Sequence, residues 1–146
     1  MRERLRRSQG GFTLIELMVV IFIIGLLATL IIPKLSGATD KAKRVKAQAD
    51  ISALKTALDR YYLDNSNYPT TDQGLTALIT APSNGKVPTD YPEGGYIERI
   101  PNDPWGNPYF YQSDGNSYVL KSFGADGVEG GTGKNADIDG SSSGGS

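Results

Sequence analysis

The chain of 146 residues contains no cysteine and no histidine. The absence of cysteine excludes disulfide bonds and thiol nucleophiles, and the absence of both residue types excludes imidazole catalysis and the usual zinc ligand sets. An excess of positive charge is also missing from most of the chain. Beyond the basic residues 1–11 it carries 11 basic and 15 acidic side chains, a net charge of −4. Because nucleic acid binding needs a basic face on the folded domain, we expect no nucleic acid partner.

The most prominent feature present is an apolar run from Phe12 to Ile32 with one ionisable side chain, Glu16. As a helix, this run would be about 31 Å long at ~1.5 Å per residue, which matches the hydrocarbon core of a bilayer. Arginines before the run predict a cytoplasmic N-terminus, although lysines after Pro33 weaken the charge asymmetry. A secretory signal peptide is the alternative, but the run is longer than a usual h-region and no small-x-small cleavage site follows it. We therefore predict a retained membrane helix.

Glu16 is the unusual residue of this run, because an ionised carboxylate in a bilayer costs about 2.5 to 3.5 kcal/mol on insertion scales. One interpretation places Glu16 near enough to the cytoplasmic interface to reach headgroup water. The other gives it a charged partner. A proton relay is disfavoured, since the run contains no second ionisable group.

The residues around Glu16 resemble a known signal. The run Gly11-Phe12-Thr13-Leu14-Ile15-Glu16, after a short basic leader and before an apolar helix, is similar to the class III signal of type IV pilins and type II secretion pseudopilins. The resemblance implies that a prepilin peptidase cuts between Gly11 and Phe12, that Phe12 is N-methylated and that Glu16 is the fifth mature residue. We expect Glu16 to pair with the Phe12 amine of a neighbouring subunit, because charges ~4 Å apart attract by about 4 kcal/mol at an effective dielectric of ~20.

Gly25 and Pro33 weaken helical order within and just after the apolar run, since glycine has a low helix propensity and proline removes a backbone donor. Relatives carry glycine and proline at the same mature positions, so the resemblance implies local unwinding between them in a fibre. For Pro33, a simple kink where the helix leaves the bilayer is the alternative.

Beyond Pro33 the chain becomes polar but keeps a helical apolar period, which predicts an amphipathic helix to about Asp64, continuous with the membrane segment. We expect its apolar stripe to pack on the globular domain of the same chain. The stripe consists of Ala47, Ile51, Leu54, Leu58 and Tyr61.

The C-terminal half predicts short strands over 96–100, 108–112 and 117–123, with Asp114-Gly115 as a hairpin turn. A short second helix is expected over 71–79, followed by a loop over 80–95. Trp105 lies in a proline-rich connection that we interpret as structural, with a binding patch for a neighbour as the alternative. The predicted fold class is α+β: a long N-terminal helix, half transmembrane and half amphipathic, packed on a small antiparallel sheet, as in type IV pilin-like folds.

Four further segments resemble the major pseudopilin of type II secretion, the general secretion pathway protein G family. They are Tyr68–Leu75, Gly95–Ile97, Asp103–Tyr109 and Phe123–Gly127. Type IV pilins share the N-terminal motif but commonly close their C-terminal region with a disulfide, which this chain cannot form.

The resemblance implies a structural subunit and not an enzyme. It implies a cleaved leader (1–11), a transmembrane and assembly helix (12–33) and a periplasmic domain (34–139). The Ser/Gly composition of residues 140–146 departs from the family pattern and predicts a disordered tail. Such a subunit spans the inner membrane once, with its N-terminus cytoplasmic. It polymerises into a periplasmic fibre that drives export of folded proteins across the outer membrane, and its partners are copies of itself, minor pseudopilins, the peptidase, the lipid bilayer and an inner-membrane secretion platform.

The loop from Phe123 to Asp139 is rich in glycine and oxygen ligands but does not fit the EF-hand spacing. Composition alone leaves open a calcium site or a solvated acidic loop, with Asp126 and Asp137 as the natural carboxylate pair. The resemblance implies calcium, with the side chains of these two residues and the carbonyls of Phe123 and Val128 as ligands. The possible additional ligands are Thr132, Asn135 and Asp139.

Two alternative functions follow from these features. One is a type IV pilin subunit for adhesion, motility or DNA uptake, which would form extended surface fibres. The other is a membrane-tethered, calcium-dependent binding module or carboxylate enzyme, which would keep its leader and possess a ligand-specific cleft.

Overall fold

The computed structural model describes residues 11–142, apart from the side chains of residues 29–36 and 38. The chain comprises two compact units, Met1–Thr39 and Asp40–Ser146. Residues 1–10 of the predicted leader and residues 143–146 of the predicted tail lie outside the described residues.

Helix α1 extends from Leu14 to Asn65. It ends where Ser66 adopts a left-handed backbone with φ 56°, and the Ser66 N–H donates to the Tyr62 carbonyl at 2.7 Å. A left-handed residue just after the last turn is a common way to end a helix. The predicted helix, from the apolar run to about Asp64, is therefore confirmed as secondary structure.

In the first unit, all large apolar side chains from Phe12 to Leu27 are at least 47% exposed. Within the described part of the chain, no helix combines the length and the hydropathy needed to cross a membrane.

In the second unit, the predicted apolar stripe of α1 forms the centre of the core. Its members are at most 4% exposed: Ala47, Ile51, Leu54, Leu58 and Tyr61. They pack with Leu78, Leu120 and Ile138 from the rest of the unit. Burying each large apolar side chain stabilises the fold by about 1.5–3 kcal/mol. The partly buried Trp105 packs against the same core, which supports its structural role.

The sheet found within residues 11–142 has three antiparallel strands in the order β1-β2-β3. Strand β1 is Phe110–Ser113, β2 is Tyr118–Ser122 and β3 is Ile138–Asp139. The first two are joined through Asp114-Gly115, where Gly115 has φ 93°, as the hairpin prediction requires. The α+β class and the small antiparallel sheet on the N-terminal helix are confirmed.

The strand predicted over residues 96–100 is wrong. The N–H groups of Tyr96 and Ile97 both donate to the Leu78 carbonyl, at 2.7 and 3.2 Å, so they do not join a ladder. Leu78 ends a single 3₁₀ turn, Leu75–Leu78, which replaces the longer helix predicted over 71–79. The apolar residues of this segment reflect packing on the core instead of strand pairing: Tyr96 is part of the core, and Ile97 and Ile100 pack against it.

The prediction that the tail is disordered from Gly140 is wrong for residues 140–142. The Gly140 N–H donates to the Leu120 carbonyl at 2.8 Å, and Ser142 forms an antiparallel bridge with Tyr118. These residues extend the line of β3 along the edge of β2. The pairing places Gly140 against Ile51 of α1, where a Cβ would collide with Ile51 Cγ2.

We expect Gly140→Ala to destabilise the second unit, because the added methyl group has no room beside Ile51. Overpacking of this kind costs about 1–3 kcal/mol. Thermal unfolding of the full chain in detergent micelles should show a lower Tm. Gly37→Ala, where a Cβ meets nothing within 4 Å, is the matched control and should not lower it. The Gly140→Ala/Ile51→Ala double variant should lose less stability than the two single changes combined, and full additivity would contradict the contact.

Candidate functional site

The predicted cleavage junction lies in exposed, non-helical backbone. Gly11, Phe12 and Thr13 precede α1, and Phe12 is 94% exposed. Both residues of the junction, Gly11 and Phe12, are therefore accessible to a peptidase. Cleavage and methylation at Phe12 stay predictions.

Glu16 and Thr13 form a reciprocal pair at the start of α1. The Thr13 N–H donates to Glu16 Oε2 at 2.9 Å, and the Glu16 N–H donates to Thr13 Oγ1 at 3.3 Å. This is a capping box, which satisfies two backbone donors that a helix N-terminus otherwise leaves unpaired. A carboxylate in the first turn also interacts favourably with the helix dipole. The sequence analysis missed this role, although Thr-x-x-Glu before an apolar run is its signature.

The two predicted unwinding residues belong to α1. Gly25 is helical, and a Cβ built on it meets nothing within 4 Å. The side chain of Pro33 lies outside the described residues. Unwinding was predicted for a fibre, so it stays a prediction.

The predicted calcium loop folds back on itself through two 3₁₀ turns, Gly124–Asp126 and Gly133–Asn135. Gly124 has φ 69°, and a Cβ there would lie 2.8 Å from the Asn135 carbonyl carbon. A Cβ on Gly131 would lie 2.7 Å from the Asn135 oxygen. Close backbone contact, possible only with glycine at these points, therefore holds together the two arms of the loop, residues 123–131 and residues 132–139.

The two predicted carboxylate ligands lie on opposite arms of this loop, and each anchors local backbone. Asp126 Oδ1 accepts the Val128 N–H at 3.2 Å, and Asp137 Oδ1 accepts the Gly130 N–H at 2.9 Å. Among the hydrogen bonds of the described residues, neither carboxylate uses Oδ2. One oxygen of each is thus left for a cation.

No group of three or more Asp or Glu side chains that could hold a metal ion occurs within the described residues. A calcium ion here would therefore depend on main-chain carbonyls, such as those of Phe123 and Val128, in addition to two carboxylates. Calcium accepts such mixed oxygen sets, so the donor chemistry fits.

Asp139, a possible additional ligand, belongs to β3. Its Oδ1 accepts the Ser141 N–H at 2.7 Å, and bonds from Ser141, together with Lys121 and Lys55, lower the pKa of Asp139. Ser141 and the two lysines therefore already stabilise the ionised carboxylate of Asp139. Thr132 precedes the second 3₁₀ turn and Asn135 is its last residue. Their ligation stays a prediction.

Arg44 is a residue that the sequence analysis missed. Its Nη1 donates to the Ala136 carbonyl at 2.7 Å, which ties α1 to the arm that carries Asp137. The two residues are 92 positions apart, so no local pattern announces the contact.

The family model described as Type II secretion system (T2SS), protein G matches residues 34–141, well over half of the chain. The chain belongs to this family. A second model, the prokaryotic N-terminal methylation motif, matches residues 6–32, which include the capping box and the predicted cleavage junction.

Individual relatives agree with this family. Type II secretion system core protein G of Vibrio cholerae is 57% identical over 134 residues, covering 90% of this chain and 91% of that protein. The protein of the same name from Pseudomonas aeruginosa is 49% identical over 135 residues, covering 91% and 95%. A crystal structure of the major pseudopilin from the type 2 secretion system of enterohaemorrhagic Escherichia coli matches with a TM-score of 0.61 at 43% identity, covering 72% of this chain and 87% of that chain. The predicted resemblance to the major pseudopilins is confirmed.

We expect Thr13→Ala to loosen the first turn of α1 in this pseudopilin, because it removes the acceptor of the Glu16 N–H. Loss of a cap costs about 1 kcal/mol, or about fivefold in an equilibrium constant. Hydrogen exchange of the full chain in micelles should show the Glu16 amide exchanging about fivefold faster. Thr13→Ser keeps the hydroxyl and should match the wild type, and equal exchange in all three proteins would contradict the cap.

Proposed function

We propose that the chain is the structural major subunit of the type II secretion pseudopilus and not an enzyme. It assembles through its N-terminal helix into a periplasmic fibre that drives export of folded proteins across the outer membrane. The observation that carries the proposal is the exposed apolar surface from Phe12 to Leu27, whose large side chains are each at least 47% exposed, with one carboxylate in its first turn. Membership of the protein G family supports it, and a type IV pilin function is not favoured.

In this proposal, Glu16 is the group whose energy changes most on assembly. Lipid tails are as apolar as leucine, so moving the apolar side chains of α1 from bilayer to fibre gains little hydrophobic free energy. A buried carboxylate, in contrast, costs about 2.5 to 3.5 kcal/mol in the bilayer. Pairing with the Phe12 amine of a neighbour would offset this cost, at about 4 kcal/mol for ~4 Å and an effective dielectric of ~20.

The capping box is compatible with that pairing. The cap uses Glu16 Oε2, so Oε1 can face the amine of a neighbour. The cap also stays within one chain, so it needs no partner and can form before assembly.

The cellular setting of the proposal follows from the N-terminal motif. A prepilin peptidase removes residues 1–11 and Phe12 is methylated, as the match to the methylation motif supports. Residues 12–33 then anchor the subunit in the inner membrane, with the C-terminal domain in the periplasm. The proposed partners are copies of the chain, minor pseudopilins and the inner-membrane platform.

We also propose that the loop binds calcium through the side chains of Asp126 and Asp137 and the carbonyls of Phe123 and Val128. When bound, the ion would join the two arms of the loop by neutralising both carboxylates. The support is the placement of these donors on arms already held together at Gly124 and Gly131.

We expect Glu16→Gln to separate the cap from the charge. Glutamine also completes a capping box, so α1 should begin normally, but it cannot form an ion pair. Fibre yield should fall at least about tenfold, equivalent to about 1.4 kcal/mol. Mass spectrometry should still show a mature chain that begins with methylated Phe12, which excludes a processing defect as the cause.

Glu16→Ala, which removes both interactions, is the comparison variant. If Glu16→Gln assembled at the wild-type level while Glu16→Ala did not, the role of Glu16 would be capping, and the charge-pairing proposal would be wrong. An unprocessed N-terminus in the wild type would contradict the proposed function itself.

We expect calcium to raise the Tm of the second unit, measured on the full chain in micelles, and chelator to reverse the increase. At calcium 100-fold above Kd the added stability is about 2.7 kcal/mol. Asp126→Ala should abolish the response. Glu129→Ala is the matched control: it removes an exposed carboxylate of the same loop that pairs with Lys121 at 3.3 Å, and it should leave the response unchanged. A wild-type melting curve that chelator does not alter would exclude the site.

A further inference from the structure

Asp103 is a buried carboxylate that the proposed function does not use. It is 3% exposed and accepts three hydrogen bonds, from the N–H groups of Trp105 and Asn107 at 3.1 and 2.8 Å and from Ser122 Oγ at 2.7 Å. All three partners donate, as an acceptor-only carboxylate requires. Burying a carboxylate costs free energy even when it is hydrogen-bonded, so the burial of Asp103 needs an explanation beyond packing.

Ser122 connects Asp103 to the beginning of the calcium loop. It is the last residue of β2 and is completely buried. Its hydroxyl donates to Asp103 Oδ2, and its own oxygen, Ser122 Oγ, accepts the Gly124 N–H at 3.3 Å. Since a hydroxyl has one proton, its donation to Asp103 directs a lone pair to Gly124.

Gly124 is the point at which the two arms of the loop meet. It follows Phe123, whose carbonyl is a proposed ligand, and its α-carbon faces the Asn135 backbone closely enough that a Cβ would lie 2.8 Å from the Asn135 carbonyl carbon. The bond from Ser122 therefore sets the position of a residue on which both arms depend.

The opposite arm has its own fixed point, the bond from Arg44 to the Ala136 carbonyl next to Asp137. One arm is held by α1 and the other by the hydrogen bonds through Ser122 and Asp103, in addition to the bond from the Gly130 N–H to Asp137 Oδ1 that joins the arms. The distance between the two sets of ligand oxygens depends on both.

We propose that Asp103, acting through Ser122, is a positioning residue for the calcium loop: it holds Gly124, and with it the neighbouring Phe123 carbonyl and Asp126, in place on the first arm of the loop. Neither Asp103 nor Ser122 touches the ion. This inference rests on the calcium binding proposed above.

The test uses the full mature chain in detergent micelles, with calcium binding measured by titration calorimetry. Asp103→Asn keeps the size of the side chain but presents an amide N–H₂ to Ser122, which reverses the direction of that bond. Ser122→Ala removes the connection. Both variants should bind calcium at least tenfold more weakly than the wild type.

Tyr111→Phe is the matched control. It removes a bond of 2.7 Å between the Tyr111 hydroxyl and the Pro69 carbonyl, elsewhere in the same unit. It should lower the Tm while leaving the calcium Kd within twofold of the wild type. If Tyr111→Phe weakened calcium binding as much as the other two changes, Asp103 would have only a general stabilising role and the proposal would be overturned.

A second measurement does not need the ion. In chelator, the Gly124 amide should exchange at least fivefold faster in Ser122→Ala and in Asp103→Asn than in the wild type, and at the wild-type rate in Tyr111→Phe. Unchanged exchange and unchanged Kd in both variants would overturn the positioning role while calcium binding stands. A wild type that binds no calcium would overturn both proposals.

Discussion

The second unit depends on the burial of one face of α1. Its sheet contains strands of four, five and two residues, too small to be stable without a surface to pack on. No disulfide can compensate, since the chain has no cysteine. The stripe from Ala47 to Tyr61 provides that surface, and Leu120 and Ile138 reach it from β2 and β3. A sequence change on this stripe would therefore disturb the sheet, the loop between β2 and β3 and the pairing after β3 together.

Glycine determines how closely the remaining segments approach that core. Gly140 brings the end of β3 against Ile51, and Gly124 and Gly131 bring one arm of the loop against the Asn135 backbone. These are contacts of the main chain, so they leave the surrounding side chains free to be polar. That is why a loop with exposed carboxylates, such as those of Asp126 and Glu129, can still have a defined shape.

The parts of the fold that could be predicted are those in which apolar and polar side chains alternate with a helix or strand period within one segment. The α1 stripe and strands β1 and β2 agree with the sequence analysis to within about two residues, because each pattern lies within one segment. Strand β3 has only two residues, too few to show a side-chain period. The Gly/Ser composition after β3 is typical of disorder. Both segments are ordered by pairing with the edge of β2, which the local sequence does not indicate. Contacts such as Arg44 to Ala136 join distant parts of the chain and leave no local signal. The capping box at Thr13 was readable and was missed because Glu16 was interpreted by its charge alone.

That capping box changes the physical account of Glu16. A carboxylate with no partner in an apolar helix would carry the full cost of burial, but one that accepts the Thr13 N–H already has part of that cost offset within its own chain. In the proposed membrane-bound subunit, the charge itself stays uncompensated, because a backbone N–H is a dipole and not a cation. In the proposed fibre, only the amine of a neighbouring Phe12 supplies the missing charge. In that proposal, the driving force that Glu16 contributes to assembly is the difference between a capped carboxylate and a capped, ion-paired one. Because the cap already offsets part of the burial cost, this difference is smaller than it would be for an uncapped carboxylate.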